Sequence, residues 1–148
     1  MKLGPFKLCA ISLLLVIGVL SSPLFAQSEG KQSPIDGVSF RFIESNGITL
    51  RIAEMGDSGP LLLLAHGWPE SWYSWRHQIV SLANAGYRVV APDMRGFGHS
   101  EAPPNVDDYD VLHTSADLVG ILDALGEETA VLVGHDWGAI VAWQTVLL

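Results

Sequence analysis

The chain has 148 residues, with 16 Asp or Glu against eight Lys or Arg, and a formal net charge of −8 at pH 7. This acidic balance, without any basic stripe, argues against nucleic acid as a partner. Cys9 is the only cysteine, so the chain can form neither an internal disulfide nor a cysteine-ligated metal site.

The first 26 residues have the pattern of a secretory signal peptide. Lys2 and Lys7 form a basic start, residues 8–20 form an apolar core, and Ala26 is a candidate cleavage residue. Cleavage would leave six basic and 16 acidic residues, a formal charge of −10, in a secreted or periplasmic protein without stable membrane association. The alternative is a membrane anchor, because this apolar segment could nearly span a bilayer.

Residues 27–37 are polar, contain Gly, Ser and Pro, and are predicted to be a linker. A β-hairpin is then predicted to open the folded part, residues 38–148. Residues 38–42 and 49–52 alternate apolar and polar side chains, and Asn46-Gly47 between them is a strong tight-turn signal.

Three apolar runs follow the hairpin, and each has the length of a buried parallel strand. They occupy residues 61–65, 87–91 and 129–133. Helical segments near residues 71–85 and 108–125 separate them. This alternation predicts an α/β fold, in which an antiparallel hairpin is followed by parallel strands with flanking helices.

Gly134-His135-Asp136-Trp137-Gly138 follows the third run and leads into an apolar helical segment. Gly-x-nucleophile-x-Gly between a strand and a helix is typical of a nucleophile elbow, a sharp turn that the small Gly134 and Gly138 allow. The central Asp136 is ionised at neutral pH and can attack a saturated electrophilic carbon to form an alkyl ester. Expected substrates are epoxides or alkyl halides. The alternative is an ordinary Gly-Asp turn that caps a helix.

His66-Gly67-Trp68-Pro69 ends the first apolar run. In hydrolases with a nucleophile elbow, a loop after the third strand supplies one N–H of the oxyanion hole, and the residue after the nucleophile supplies the other. The predicted donors are the backbone N–H groups of Trp68 and Trp137. Gly67 lets the loop bend, and Pro69 fixes its exit, for which a cis bond is one solution. His66 is interpreted as a hydrogen-bonded, loop-shaping residue rather than a base.

Asp93 and Arg95 follow the second apolar run, at an edge where α/β enzymes place ligand-facing groups. Asp93 could therefore be a second acid of the site. The interpretation we favour is that Asp93, Arg95 and the glycines after them shape a loop through local hydrogen bonds, as Asp commonly does in turns.

Three stretches in register resemble the epoxide hydrolases of the α/β-hydrolase superfamily: residues 66–76, 93–100 and 134–138. The resemblance implies an enzyme that converts an epoxide to a vicinal diol through an ester on Asp136. Its partners would be a small apolar epoxide and water, with no cofactor and no metal ion. Haloalkane dehalogenases also use Asp-Trp at the elbow but typically hold the halide with a polar residue where this chain has Trp68. A dehalogenase and a non-catalytic remnant remain alternatives.

The resemblance also implies that an orienting carboxylate, a catalytic histidine and two tyrosines of a helical cap follow the elbow in the chain. No residue of this sequence can be assigned to these roles. We therefore expect the N-terminal part of an α/β-hydrolase core, truncated after the elbow, without cap or C-terminal half and inactive by itself. Substrate identity, stereoselectivity and oligomeric state are not specified.

Overall fold

The computed structural model describes residues 33–148. Five strands and three α-helices form within them: β1 Ser39–Ser45, β2 Ile48–Met55, β3 Leu61–Ala65, α1 Arg76–Asn84, β4 Arg88–Pro92, α2 Val111–Leu125, β5 Val131–Gly134 and α3 Trp137–Thr145. Short 3₁₀ turns at Trp72–Trp75 and Val106–Tyr109 precede the first two helices. The strands form one mixed sheet in the order β1-β2-β4-β3-β5. This is the predicted α/β core.

The predicted hairpin is confirmed. β1 and β2 are antiparallel, in a register that runs from Ser39 opposite Glu54 to Ser45 opposite Ile48. Asn46 and Gly47 between them both have positive φ, 48° and 78°, as the favoured two-residue hairpin turn requires. Both strands are longer than the predicted segments, residues 38–42 and 49–52. β1 pairs with β2 along its whole length, and β2 also pairs with β4.

β3 lies between β4 and β5 and is parallel to both, and all five of its residues are buried. This double pairing explains the continuous apolar run. β4 and β5 begin one and two residues later than their apolar runs predicted. Among the described strands β5 pairs with β3 alone, and Val131 is 53% exposed.

Helices cover both faces of the sheet, because successive strand side chains point to opposite sides. On one face Leu61, Leu63 and Ala65 pack in a cluster with Leu118 and Ile121 of α2 and Val141 of α3. On the other face Leu62 and Leu64 share a cluster with Trp72 of the first 3₁₀ turn and Ile79 of α1. The carboxyl ends of β3 and β5 therefore emerge at one edge between two packed layers.

The predicted signal peptide and residues 27–32 of the predicted linker lie outside the described residues. The last five linker residues form a turn in which the Val38 N–H donates to the Ile35 carbonyl at 3.2 Å. Ile35 packs against the cluster that contains Trp72. Within residues 33–148, no helix has both the length and the apolar character needed to cross a membrane.

A buried ion pair joins the loop after β4 to α2. Arg95 donates through Nε and Nη2 to the two carboxylate oxygens of Asp117, at 2.8 and 2.6 Å, and both side chains are at least 96% buried. Asn46 of the hairpin turn donates to the same carboxylate at 3.1 Å, and Ser45 donates to the Asp117 carbonyl at 2.7 Å. Local loop shaping was therefore the wrong expectation for Arg95, whose partner lies on a helix.

Asp117→Ala should lower the free energy of unfolding by about 3–5 kcal/mol, because it leaves the Arg95 guanidinium buried without its partner. Glu54→Ala is the matched control. It breaks the Arg41–Glu54 pair, in which the Arg41 side chain is 44% exposed, and should cost at most about 1 kcal/mol. Urea unfolding of the two variants tests this, and equal losses would contradict the assignment.

Candidate active site

The turn from β5 into α3 holds Asp136 at φ 53° and ψ −129°. Positive φ is rare for residues other than glycine and occurs where the surrounding structure enforces it. The two glycines of the motif provide that enforcement. A Cβ at Gly134 would collide with the Gly138 carbonyl, and a Cβ at Gly138 would collide with the carbonyl of Ala65 on β3. Strand, turn and helix thus meet at a distance that only glycine permits.

The loop after β3 brings its backbone onto the Asp136 side chain. The Trp68 N–H donates to Asp136 Oδ1 at 2.9 Å. A Cβ at Gly67 would lie 2.5 Å from the Asp136 Cβ, so the missing side chain lets the loop approach this closely. The Trp68–Pro69 peptide bond at the exit of the loop is cis, one of the geometries considered in the sequence analysis.

Hydrogen bonds from two backbone N–H groups lower the pKa of Asp136, that of Trp68 first and that of Trp137 second. A carboxylate that accepts backbone N–H bonds is stabilised in its charged form. Asp136 therefore remains ionised at neutral and mildly acidic pH while it stays exposed. The three residues predicted to take part in the chemistry therefore lie together. The Trp68 N–H donates to the Asp136 carboxylate, and the Trp137 N–H, which follows Asp136 in the chain, also lowers its pKa.

His66 is 2% exposed, and both of its ring nitrogens have backbone partners. Nδ1 lies 2.8 Å from the Gly67 carbonyl oxygen, and the Met94 N–H donates to Nε2 at 2.9 Å. These contacts require a neutral ring with its proton on Nδ1. Burial lowers the pKa of His66 and favours the same neutral form. The contacts support the interpretation of His66 as a residue that shapes the loop.

Asp93 is fully buried, and its carboxylate is occupied by the protein. Arg51 forms an ion pair with Oδ2 at 2.7 Å, and the N–H groups of Trp72 and His99 donate at 3.1 and 3.0 Å. Such a carboxylate joins three segments of the fold. These contacts favour a structural carboxylate over a second acid. The expected local hydrogen bonds account only for His99, because Arg51 and Trp72 lie outside the loop.

No pattern in the sequence indicated a contact between Glu70 and His135. Glu70 Oε2 lies 3.2 Å from His135 Nδ1 and accepts the Gly67 N–H at 3.3 Å. The pair bridges the loop after β3 and the turn after β5. The two residues are 65 positions apart in the chain, and the parallel register of Ala65 opposite Gly134 brings them together. Only the strand order could have revealed this contact.

A cavity of about 390 Å³ opens beside the indoles of Trp68 and Trp137. Its wall is mainly apolar and includes Met94, Phe97 and Val141. Cavities of this size and character hold small, largely apolar ligands. The part of the chain from residue 33 onward contains no cluster of three or more side chains suited to bind a metal ion.

Residues 60–148 match the family model described as the α/β hydrolase fold. The chain is 55% identical over 109 residues to epoxide hydrolase A of Mycobacterium tuberculosis, a match that covers 73% of this chain and 34% of that protein. It is 52% identical over 113 residues to epoxide hydrolase 3 of Siraitia grosvenorii, which covers 76% of this chain and 35% of that protein.

Solved structures give the same result. An epoxide hydrolase from Vigna radiata is 47% identical with a TM-score of 0.75, over 79% of this chain and 36% of that chain. Epoxide hydrolase A from Mycobacterium thermoresistibile is 53% identical with a TM-score of 0.71, over 73% and 34%. The chain spans about a third of the length of these relatives. The chain belongs to the α/β hydrolase fold family, and the four relatives described above are epoxide hydrolases.

Proposed function

We propose that this chain carries the nucleophile and the oxyanion hole of an epoxide hydrolase. The observation that supports this most directly is that one strained, exposed carboxylate, Asp136, accepts the Trp68 backbone N–H at 2.9 Å, while the adjacent Trp137 N–H also lowers its pKa. Identities of about 50% to epoxide hydrolases support the same reaction class. The chain spans about a third of the length of those proteins, so the activity is proposed for the protein that contains this chain.

In the first step an Asp136 carboxylate oxygen attacks a carbon of the epoxide ring. A carbon–oxygen bond forms to Asp136, the ring bond from that carbon to the epoxide oxygen breaks, and the released alkoxide takes a proton. Trp68 holds Oδ1, so Oδ2 is the oxygen free to attack. The lowered pKa of Asp136 means that no base is needed for this step.

In the second step water attacks the acyl carbon of the Asp136 ester. Negative charge then develops on the former carbonyl oxygen, which faces the N–H groups of Trp68 and Trp137. Fixed donors at that position stabilise the tetrahedral intermediate. Its collapse breaks the acyl–oxygen bond to the substrate. The departing oxygen takes the proton that the attacking water gave up, the diol is released, and the Asp136 carboxyl loses its proton to become a carboxylate again.

The cavity beside Trp68 and Trp137 supports a small apolar epoxide as the substrate class. Its walls offer apolar contact, and Tyr109, the tyrosine on its lining, already donates its hydroxyl to the Pro103 carbonyl at 2.8 Å. Both indoles are exposed, at 65% and 60%, and would pack against the substituents of a bound epoxide.

Two catalytic roles are not assigned to any residue among 33–148, where His66 is the only histidine on the lining of the cavity. Both ring nitrogens of His66 are bonded to the backbone, and His135 faces Glu70. We infer that other parts of the protein supply the base that activates water and the acid that protonates the epoxide oxygen. The 148-residue chain by itself would then not sustain turnover.

A single turnover in ¹⁸O-water should label the Asp136 carboxylate before it labels the diol, because water attacks the acyl carbon. The measurement is peptide mass spectrometry of the protein that carries this chain, after reaction with less than one equivalent of an aryl epoxide. Asp136→Ala should abolish diol formation. Asp57→Ala, at an exposed loop position away from the turn, should leave it unchanged.

Label found in the diol alone during the first turnover would mean direct attack by water and would contradict the proposal. Parallel incubation with a haloalkane separates the reaction classes. Halide release without diol formation from the epoxide would establish a dehalogenase.

We also propose that residues 1–26 are a signal peptide and that the protein is exported. The basic start, the apolar core and Ala26 support this. N-terminal sequencing of the protein expressed in a bacterial host should begin at or near Gln27. Ala26→Phe should retain the leader, since the cleavage site requires a small residue. Recovery of intact Met1 in the membrane fraction of cells that express the unmodified protein would favour the anchor instead.

A further inference from the structure

The Trp68 amide belongs to the same peptide unit as the Gly67 carbonyl. A trans peptide is planar, and its N–H and C=O point in opposite directions. The N–H donates to Asp136 Oδ1, while the carbonyl lies 2.8 Å from His66 Nδ1 and accepts the Glu70 N–H at 3.1 Å. A group that holds the carbonyl therefore also sets the direction of the oxyanion donor.

His66 is held firmly enough to set that direction. Its Nε2 accepts the Met94 N–H at 2.9 Å, just after the end of β4, and its ring packs edge-on against Phe97 at 5.3 Å between centroids. The imidazole cannot turn without loss of both hydrogen bonds. His66 thus links the carboxyl end of β4 to the loop that follows the neighbouring strand β3.

We propose that His66 is a positioning residue that aims the Trp68 amide at Asp136 by holding the carbonyl of the same peptide unit. The role needs a neutral ring that donates from Nδ1 and accepts at Nε2. The catalytic role rests on the proposed function, but the hold of His66 on the Gly67 carbonyl, which we call the clamp, can be measured without turnover.

The clamp should fail at acidic pH. A protonated ring would present an N–H at Nε2 to the Met94 N–H, so two donors would face each other. Burial lowers the pKa of His66 most strongly. Among its charged neighbours, Asp93 and Glu70 raise the pKa and His135 lowers it. Because the folded-state pKa is below the unfolded value, this contribution to stability is complete above about pH 6.5 and is lost as pH falls through the folded-state pKa.

Two substitutions separate the two hydrogen bonds of the ring. In His66→Asn the amide nitrogen can replace Nδ1 and donate to the Gly67 carbonyl. In His66→Gln the amide oxygen can replace Nε2 and accept from Met94. Each variant keeps one bond and loses the other, so a purely structural role would affect both alike. The proposal requires the Asn variant to retain the geometry of the oxyanion loop and the Gln variant to lose it.

The first readout is the pKa of Asp136, from carbon NMR titration of the side-chain carboxylates with Asp136→Asn to assign the resonance. His66→Gln should raise this pKa toward the ordinary Asp value, and His66→Asn should leave it low. Equal shifts in both variants, or no shift in either, would overturn the proposal. This result does not depend on turnover, so it remains informative if the labelling experiment excludes the proposed reaction.

The second readout is the single-turnover rate of ester hydrolysis, which should be roughly 10-fold or more slower in His66→Gln than in His66→Asn, since loss of an entire oxyanion donor costs about 10²–10³-fold. Comparable rates would contradict the positioning role. If neither variant folds, an NMR titration of the unmodified protein provides the test. The Trp68 amide resonance should shift as the His66 ring titrates. A Trp68 resonance that does not respond to this titration would overturn the proposal that His66 positions the amide.

Discussion

The hydrogen bond from the Trp68 amide to the Asp136 carboxylate depends on the pairing of two parallel strands. β3 and β5 end side by side, with Ala65 opposite Gly134, so the loop after one strand meets the turn after the other. A shift of one residue in this register would turn the side chains of the shifted strand to the opposite face of the sheet. β3 is buried on both faces and packs against both helical layers. The site is therefore a consequence of how the core packs.

Three aspartates show how the environment separates structural carboxylates from the proposed nucleophile. Asp93 and Asp117 are buried, and each is neutralised by an arginine, Arg51 and Arg95. A buried charge without such a partner would be costly, so these carboxylates are committed to the fold. Asp136 is held by neutral backbone amides and is exposed. Its negative charge is stabilised without being cancelled, and one oxygen remains open to an electrophile.

Local patterns in the sequence were sufficient to predict the elements that position the site. β3 was predicted with its observed bounds because all five of its residues are apolar, and the hairpin turn followed from Asn46-Gly47. Contacts between distant segments could not be predicted in this way. The partner of Arg95 is on α2, and the partner of Glu70 is next to the nucleophile candidate. Each pair depends on strand order and helix placement, which a single sequence does not encode as a local signal.

In the proposed mechanism, the Trp68 amide would affect the two chemical steps differently. In the resting state it donates to a carboxylate oxygen with partial negative charge, and in the proposed ester it would face a neutral carbonyl oxygen. Its interaction would therefore weaken as the ester forms and strengthen as water adds, when the oxygen gains a full charge. Interactions that are stronger in the transition state than in the preceding ground state accelerate a step. If the proposed mechanism holds, the geometry around Asp136 would thus favour opening of the ester over its formation, and the strain of an epoxide ring would supply much of the driving force for the first step.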